Sequence, residues 1–228
     1  MDPTLTALIA ANVTFVGTHF AMSHPLRASL VRTVGEKGFL GVYSLVSLGA
    51  FIWIVVAFRA VGPGGAVLWN GQGEVSWAIA SALTLVSLAL IIAALKGNPA
   101  LVGIEPDIVA KAKAKGVFAV TRHPMMWGFA IWAASHIIVS PSPRTLVTAG
   151  AMAVLALVGA HLQDVKKQAL LGKVWKDWEA RTSFVPHPGK LGGIGIGLWL
   201  AALAGWVAIS WLHLWLANVP AGIWRWVG

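Results

Sequence analysis

Four histidines lie within or at the ends of long apolar runs: His19, His123, His136 and His161. An ionisable side chain inside a lipid bilayer is costly, so such residues are candidates for function. The chain has no cysteine, and none of its carboxylates falls inside an apolar run. Because the histidines have no acidic partner inside the apolar runs, we expect them to coordinate a metal and not to relay protons.

The other residue types narrow the choice of metal. Without cysteine there is no disulfide, thiolate site or iron–sulfur cluster. A di-iron site needs inward-facing glutamates on bundle helices, and the apolar runs contain none. A zinc site of three or four histidines stays an alternative. We expect haem, because the porphyrin supplies four nitrogens and an apolar body. Since the chain has no Cys-x-x-Cys-His motif, the haem is expected to be non-covalent haem b.

The composition predicts a membrane protein. Of 228 residues, 57% are hydrophobic and only 11% are charged, against about 25% charged residues in soluble domains. So few charged residues cannot cover the surface of a soluble protein of this length. We therefore expect membrane lipid to surround the chain as its partner. A net charge of +9 would suggest nucleic acid in a soluble protein, but we interpret it as membrane orientation and expect no nucleic-acid partner. We expect one domain over residues 1–228.

Hydrophobic run length predicts an all-α, polytopic bundle of six transmembrane helices. A spanning helix needs about 20 apolar residues, and six stretches meet or approach this length: 3–22, 38–60, 75–95, 124–140, 144–163 and 192–217. Glycine and proline predict a break at residues 62–65 and a hairpin at residues 140–143. Residues 105–115 and 164–181 are predicted to form cytoplasmic amphipathic helices that cap the fourth span.

Basic residues predict the orientation. Of the 17 lysines and arginines, 14 lie between spans one and two, three and four, or five and six. The other three are Arg59, Arg144 and Arg225. Because short basic loops remain in the cytoplasm, both termini are expected outside. We expect a multi-pass protein of the bacterial inner (cytoplasmic) membrane.

The string Arg122-His123-Pro124 has two interpretations. Proline is favourable in the first turn of a helix, which puts Arg122 and His123 at the cytoplasmic mouth of the fourth span. In the first interpretation, these two residues fix the orientation of the span in the membrane and mark the start of its helix. Alternatively, arginine beside free backbone N–H groups forms a site for a phosphate or carboxylate.

Depth constrains which histidines can share one iron. His136 lies 13 residues beyond His123, or about 20 Å deeper along a helix. It is either a structural histidine bonded to backbone or a ligand. Both axial ligands must lie at nearly equal height, which favours pairing His19 with His161 over pairing His19 with His136. We therefore keep His19, His136 and His161 as candidate iron ligands, with His123 as a further cofactor-binding candidate.

At several motifs the chain resembles the NnrU family of bacterial membrane proteins, which also includes the plant 15-cis-zeta-carotene isomerases. The likeness covers about residues 5–188, and its strongest pieces are residues 35–38, 43–48, 121–124, 134–136, 159–162 and 181–186. The resemblance implies a role in nitric oxide and denitrification physiology or in polyene isomerisation. The isomerase branch implies haem b with histidine ligands, which match His19 and His136.

Three functional hypotheses remain open. The first is a haem b enzyme, such as an isomerase, that acts on a hydrophobic membrane-dissolved substrate, with Arg27 and Arg122 holding the propionates. The second is an S-adenosylmethionine-dependent methyltransferase. Arg122-His123-Pro124 and the helix with Trp175 and Trp178 resemble the isoprenylcysteine and phospholipid methyltransferases, although Met126 replaces their usual tyrosine. The third is a haem-bearing or structural subunit, or a sensor, within a larger membrane complex. The expected protein partner is either such a complex or a second copy of the chain in a homo-oligomer.

Overall fold

The structure, a computed structural model, describes residues 2–63, 65–101 and 103–227, and this part of the chain is helical with no strand. It divides into two compact units. The first unit contains Met1–Gly71 and His136–Leu155, and the second contains Gln72–Ser135 and Ala156–Gly228. Each unit is described separately below.

Ten α-helices and one 3-10 helix are present in the described chain. In chain order they are α1 (Pro3–Ser23), α2 (Arg27–Val61), α3 (Glu74–Ala93), α4 (Pro106–Lys111), α5 (Val117–Val120), α6 (Pro124–Val139), α7 (Pro143–Leu171), α8 (Lys173–Arg181), the 3-10 helix (Pro188–Ile194), α9 (Ile196–Ala217) and α10 (Trp224–Val227).

Five of these helices are long and apolar enough to cross a membrane: α1, α2, α3, α7 and α9. The fourth predicted span corresponds to α6, which is apolar but has only 16 residues. At 1.5 Å per residue α6 is about 24 Å long, which is shorter than the roughly 30 Å of bilayer hydrocarbon. The all-α membrane fold is therefore supported with five full-length candidate spans.

In the first unit, α1 and α2 pack together as a helical hairpin. The Asp2 side chain caps α1 by accepting the Thr4 backbone N–H at 2.8 Å, a typical N-cap interaction. The core between the two helices is formed by Leu8, Ala11, Ile54 and Ala57. The second predicted span, residues 38–60, is only the later part of α2, because the basic segment before it is also helical. Gly35 interrupts this helix with φ 73° and ψ 170°.

The predicted break and hairpin are both confirmed. α2 ends at Val61, and Gly62 follows with φ 69°; α6 ends at Val139, and Pro143 begins α7. These two loops contact each other within the first unit. The Leu68 backbone N–H donates to the Pro141 carbonyl at 3.2 Å, so the loop after α2 lies against the hairpin after α6.

The predicted capping helices are shorter than expected. The helix expected over residues 105–115 is reduced to α4 (Pro106–Lys111). The continuous charged helix expected over residues 164–181 is wrong: α7 extends to Leu171, and Gly172, with φ 53°, separates it from α8 (Lys173–Arg181). A positive φ favours glycine, and it lets the chain turn between the two helices.

Helices α3 and α6 approach closely in the second unit at Gly128. The Ser87 hydroxyl donates to the Gly128 carbonyl at 2.7 Å. A Cβ at Gly128 would lie 2.9 Å from the Ser87 carbonyl oxygen and 2.5 Å from Cγ1 of Ile91. Small residues commonly permit such close packing of helices in membranes, where interhelical hydrogen bonds also contribute.

We predict that Gly128→Ala destabilises the protein, because the new methyl group meets the Ser87 backbone. Overpacking of this kind costs about 1–3 kcal/mol. Gly150→Ala on α7 is the matched control, since no neighbouring atom lies within 4 Å of the place that its methyl group would occupy. There, alanine gains up to about 1 kcal/mol of helix propensity. Thermal unfolding in detergent should separate the two variants, and equal midpoints would contradict the close approach.

Candidate functional site

A buried carboxylate organises a polar cluster in the second unit. Asp164, on α7, is only 4% exposed. Its Oδ2 accepts hydrogen bonds from Nε (2.9 Å) and Nη2 (2.7 Å) of Arg122. Its Oδ1 accepts from Nε2 of His123 at 2.8 Å and from Nε1 of Trp175 at 3.2 Å. We call these four residues the Asp164 cluster. A buried charge is tolerated when it is paired and hydrogen-bonded, and Asp164 meets both conditions.

Local backbone structure holds Arg122 and His123 in this position. Thr121 is extended, with φ −159° and ψ 154°, between α5 and the start of α6. Its hydroxyl donates to the Phe184 carbonyl at 2.7 Å, and the Arg122 backbone N–H donates to the Ser183 carbonyl at 2.8 Å. Trp127 adds an indole hydrogen bond to the same Phe184 carbonyl at 2.8 Å. The segment after α8 is thereby fastened across the start of α6.

A second set of contacts fastens the loop after α3 to α7. The Lys167 ammonium donates to the carbonyls of Leu101 (2.7 Å) and Pro99 (3.2 Å). The Gln163 side-chain amide donates to the Ala100 carbonyl at 3.0 Å. Lys167 is only 8% exposed, so the carbonyls replace the water it loses on burial. This lysine therefore serves the packing of the loop.

The second ring nitrogen of His123 has no hydrogen-bond partner among the described residues. The ring is fully buried. Its Nε2 must donate to Asp164, because a carboxylate accepts, so Nδ1 of the neutral ring carries the lone pair. His123 lines a cavity of about 30 Å³ together with Asn98, Met125 and Gln163 among other residues. A water needs at least about 10–15 Å³, so this cavity suits water and not a large cofactor.

The structure changes the interpretation of Arg122. The carboxylate that this arginine binds belongs to Asp164 of the same chain. The sequence pattern had placed Asp164 in a cytoplasmic amphipathic helix and gave it no partner. One signal could have found this pairing. Asp164 is the first acidic residue after the apolar run 144–163, and Arg122 lies two residues before the apolar run 124–140. Opposite charges at the ends of adjacent spans are natural partners.

His19 lies in the first unit in a different environment. Its Nδ1 is 2.7 Å from the Phe15 carbonyl oxygen, and since a carbonyl only accepts, Nδ1 carries the proton. The lone pair of the neutral ring is then on Nε2, whose contact with the Ser47 hydroxyl is long, at 3.4 Å. The rings of Phe15 and Tyr43 lie 4.2 and 5.3 Å away, centroid to centroid. His19 therefore presents a nitrogen lone pair on a half-buried ring.

The remaining candidates are divided between the two units. His136 is half-buried in the first unit, one turn before the end of α6, and its carbonyl accepts the Ser140 N–H at 3.0 Å. His161 is exposed on α7 in the second unit. Arg27 pairs with Glu36. Within residues 2–63, 65–101 and 103–227, no three histidine or acidic side chains are grouped to hold a metal ion, as a zinc site of three or four histidines requires.

A protein-family model described as NnrU protein matches residues 7–221. The chain belongs to the NnrU family. The NnrU match includes both His19 and the whole Asp164 cluster, and it confirms the family inferred from the sequence motifs. No curated protein and no solved structure matches the chain.

We predict that Asp164→Asn strongly destabilises this NnrU protein. The amide removes the negative charge that Arg122 and His123 share, and breaking a buried ion pair costs about 3–5 kcal/mol. Asp177→Asn is the control, because its i,i+4 pair with Lys173 is exposed and such pairs contribute little. Thermal unfolding in detergent checks both variants. If Asp164→Asn unfolds at the wild-type temperature, the cluster does not hold these helices together.

Proposed function

We propose that the protein is a haem b-binding integral membrane protein in which His19 is an axial ligand of the iron. The observation that carries this proposal is the 2.7 Å hydrogen bond from Nδ1 of His19 to the Phe15 carbonyl. Histidines that bind metals almost always donate their other ring N–H to a carbonyl, carboxylate or water, which fixes the tautomer and the ring orientation. His19 already has this arrangement, with Nε2 as the ligand atom.

The surroundings of His19 suit a flat apolar group. Aromatic rings flank the imidazole. The backbone at Gly17 and Gly49 is open, since a Cβ added at either glycine would meet no atom within 4 Å. The neighbouring helix α2 exposes Leu48 and Phe51. Such a surface can contact the apolar body of a porphyrin.

His136 is the candidate for the second axial position. It belongs to the same compact unit as His19, and the NnrU resemblance pairs these two residues. His161 belongs to the other unit and is exposed. His19 lies one turn before the end of α1, and His136 one turn before the end of α6. The topology proposed below puts these helix ends at opposite faces of the membrane, so a shared haem requires α1 to be tilted or shifted inward until the two imidazoles lie at one level.

The proposed activity follows from the ligand set and the membrane setting. When bound, a haem iron with an exchangeable coordination position would bind nitric oxide or polarise a double bond. The chain would hold the iron through His19 and exclude water by its apolar helices. The substrate class comes from the NnrU resemblance: a membrane-dissolved polyene, undergoing cis–trans isomerisation, or nitric oxide. Arg27, in the same unit as His19, stays a candidate for the propionates, although it already pairs with Glu36. Arg122 belongs to the other unit, and its guanidinium is bound to Asp164.

The second candidate function is a haem-bearing subunit of a membrane complex. It is favoured by the apolar side chains that α9 exposes, among them Leu200, Trp211 and Trp215, which can contact either lipid or another protein. No specific observation favours the methyltransferase. That activity needs Arg122 and His123 to face a cofactor, and both side chains point to Asp164.

We further propose six spans with both termini outside. Helix α6 is the fourth of these spans in chain order, in addition to the five full-length candidates. Two contacts support this topology. The loop after α2 lies against the hairpin after α6, through Leu68 and Pro141. Within the second unit, Trp226 near the chain end donates to the Glu74 carboxylate at the start of α3, at 2.7 Å. These segments contain few basic residues, whereas 14 of the 17 occupy the loops assigned to the cytoplasm, as positive-inside orientation requires.

Single cysteines test this topology directly, because the natural chain has none. We predict that Ala66→Cys and Ser140→Cys react with a membrane-impermeant maleimide on intact cells. Ala114→Cys should react only after the membrane is opened. Ala114 and Ser140 flank α6, so equal accessibility of these two positions would show that α6 does not cross the bilayer.

The haem proposal predicts that the purified protein has a Soret band and stoichiometric iron. His19→Ala should remove the band, and His136→Ala should shift it by replacing the second ligand. His213→Ala is the matched control, because His213 on α9 makes the same intrahelical bond, from Nδ1 to the Ile209 carbonyl at 2.8 Å, and is also half-buried. Optical spectra of oxidised and reduced protein, with elemental analysis, measure these effects. Wild-type protein without iron would end the proposal.

A further inference from the structure

A cavity of about 310 Å³ opens in the second unit beside the end of α8. It is lined by Ala114, Ala119, Ala180, Arg181, Thr182, Ser183, His187 and Lys190. Three of these side chains are basic, and none of the described lining residues is acidic. Cavities that bind small ligands have volumes of about 300–1,000 Å³, so this one is large enough for a compact polar group.

Arg181 is held in place without a carboxylate. Its Nε donates to the Asp177 backbone carbonyl at 3.0 Å, and its Nη1 donates to the Ala112 carbonyl at 3.1 Å. The guanidinium also lies 5.5 Å from the ring of Trp178, which is fully buried. Two carbonyls and an aromatic ring orient the guanidinium but leave its charge uncompensated. Arginine has five N–H donors, so several remain for an anion.

The backbone around the cavity is fixed by hydrogen bonds. The His187 N–H donates to the Val120 carbonyl at 2.9 Å. The Thr182 hydroxyl donates to the Trp178 carbonyl at 2.7 Å, and the Ser183 hydroxyl donates to the Val185 carbonyl at 2.6 Å. Both hydroxyl protons are therefore used within the chain. Side-chain donors for a bound group must therefore come from the basic residues.

Further positive charge surrounds the opening. Lys113 and Lys115 flank Ala114 and are exposed, as is Lys190. None of these three lysines makes an ion pair in the part of the chain that the structure describes. By contrast, the exposed Lys173 is neutralised by Asp177. The cavity thus concentrates cations that lack internal counter-charges.

We propose that this cavity binds a phosphate group through Arg181 and Lys190, with His187 beside it. Arginine offers paired N–H donors to phosphate oxygens, and lysine acts as a compact point charge. The phosphate belongs either to the headgroup of an anionic phospholipid or to a soluble phosphate ester. This site is separate from His19 and does not depend on haem binding.

Native mass spectrometry of the detergent-solubilised full chain tests the site. The probes are phosphatidylglycerol, phosphatidylcholine and inorganic phosphate. We expect phosphatidylglycerol or inorganic phosphate to bind the wild type, and phosphatidylcholine to bind weakly. The double variant Arg181→Gln/Lys190→Gln should bind the phosphate probe about 30-fold more weakly, since each basic residue near an anionic headgroup contributes about 1 kcal/mol.

The matched control is Arg32→Gln/Lys37→Gln, which removes the same two residue types from exposed positions on α2 and should keep wild-type affinity. Lys190→Gln alone, at a side chain without an internal partner, should weaken binding about fivefold without affecting the fold. Binding of phosphatidylglycerol without competition from inorganic phosphate identifies a lipid headgroup, and competition identifies a soluble phosphate. Equal weakening by both double variants, or no binding of either probe to the wild type, overturns the proposal.

Discussion

The second unit depends on the interactions of one buried group, the Asp164 carboxylate. It receives four hydrogen bonds, from Arg122 and His123 before α6 and from Trp175 on α8. Because it is almost fully buried, its charge cannot be compensated by water and must be compensated by these residues. The carboxylate consequently fixes the start of α6, the later part of α7 and α8 in one arrangement. A carboxylic acid at the end of an apolar helix here acts as the attachment point for three helices.

The same region contains cations in two distinct states. Arg122 and Lys167 are largely buried, and their charges are met by Asp164 and by backbone carbonyls. Arg181 and Lys190 are exposed and have no carboxylate partner in the described chain. Burial forces internal pairing because an unpaired buried charge is too costly. Exposed cations face no such requirement, so their charges can remain without an internal carboxylate.

The helical membrane fold could be predicted from the sequence because run length and charge placement are local properties. Glycine and proline also located the loop after α2 and the hairpin before Pro143. The positive-φ glycines Gly35 and Gly172 were not predicted, since they interrupt helices in segments that look uniformly helical. The pairing of Arg122 with Asp164 was missed because these residues are 42 positions apart. A contact between two helices leaves no periodic signal in either of them, and only the tertiary structure reveals it.

The contrast between His19 and His123 explains why one histidine suits a large cofactor and the other does not. His123 uses Nε2 to bind a buried carboxylate, and its free nitrogen lies on a fully enclosed ring beside a cavity of about 30 Å³. A porphyrin cannot approach that nitrogen unless the Asp164 cluster separates. His19 instead uses Nδ1 to bind the backbone of its own helix, so a ligand at Nε2 displaces only a long contact with Ser47. The coordination proposed for His19 would therefore leave the packing of the helices intact, as a histidine that holds a cofactor in a membrane bundle must.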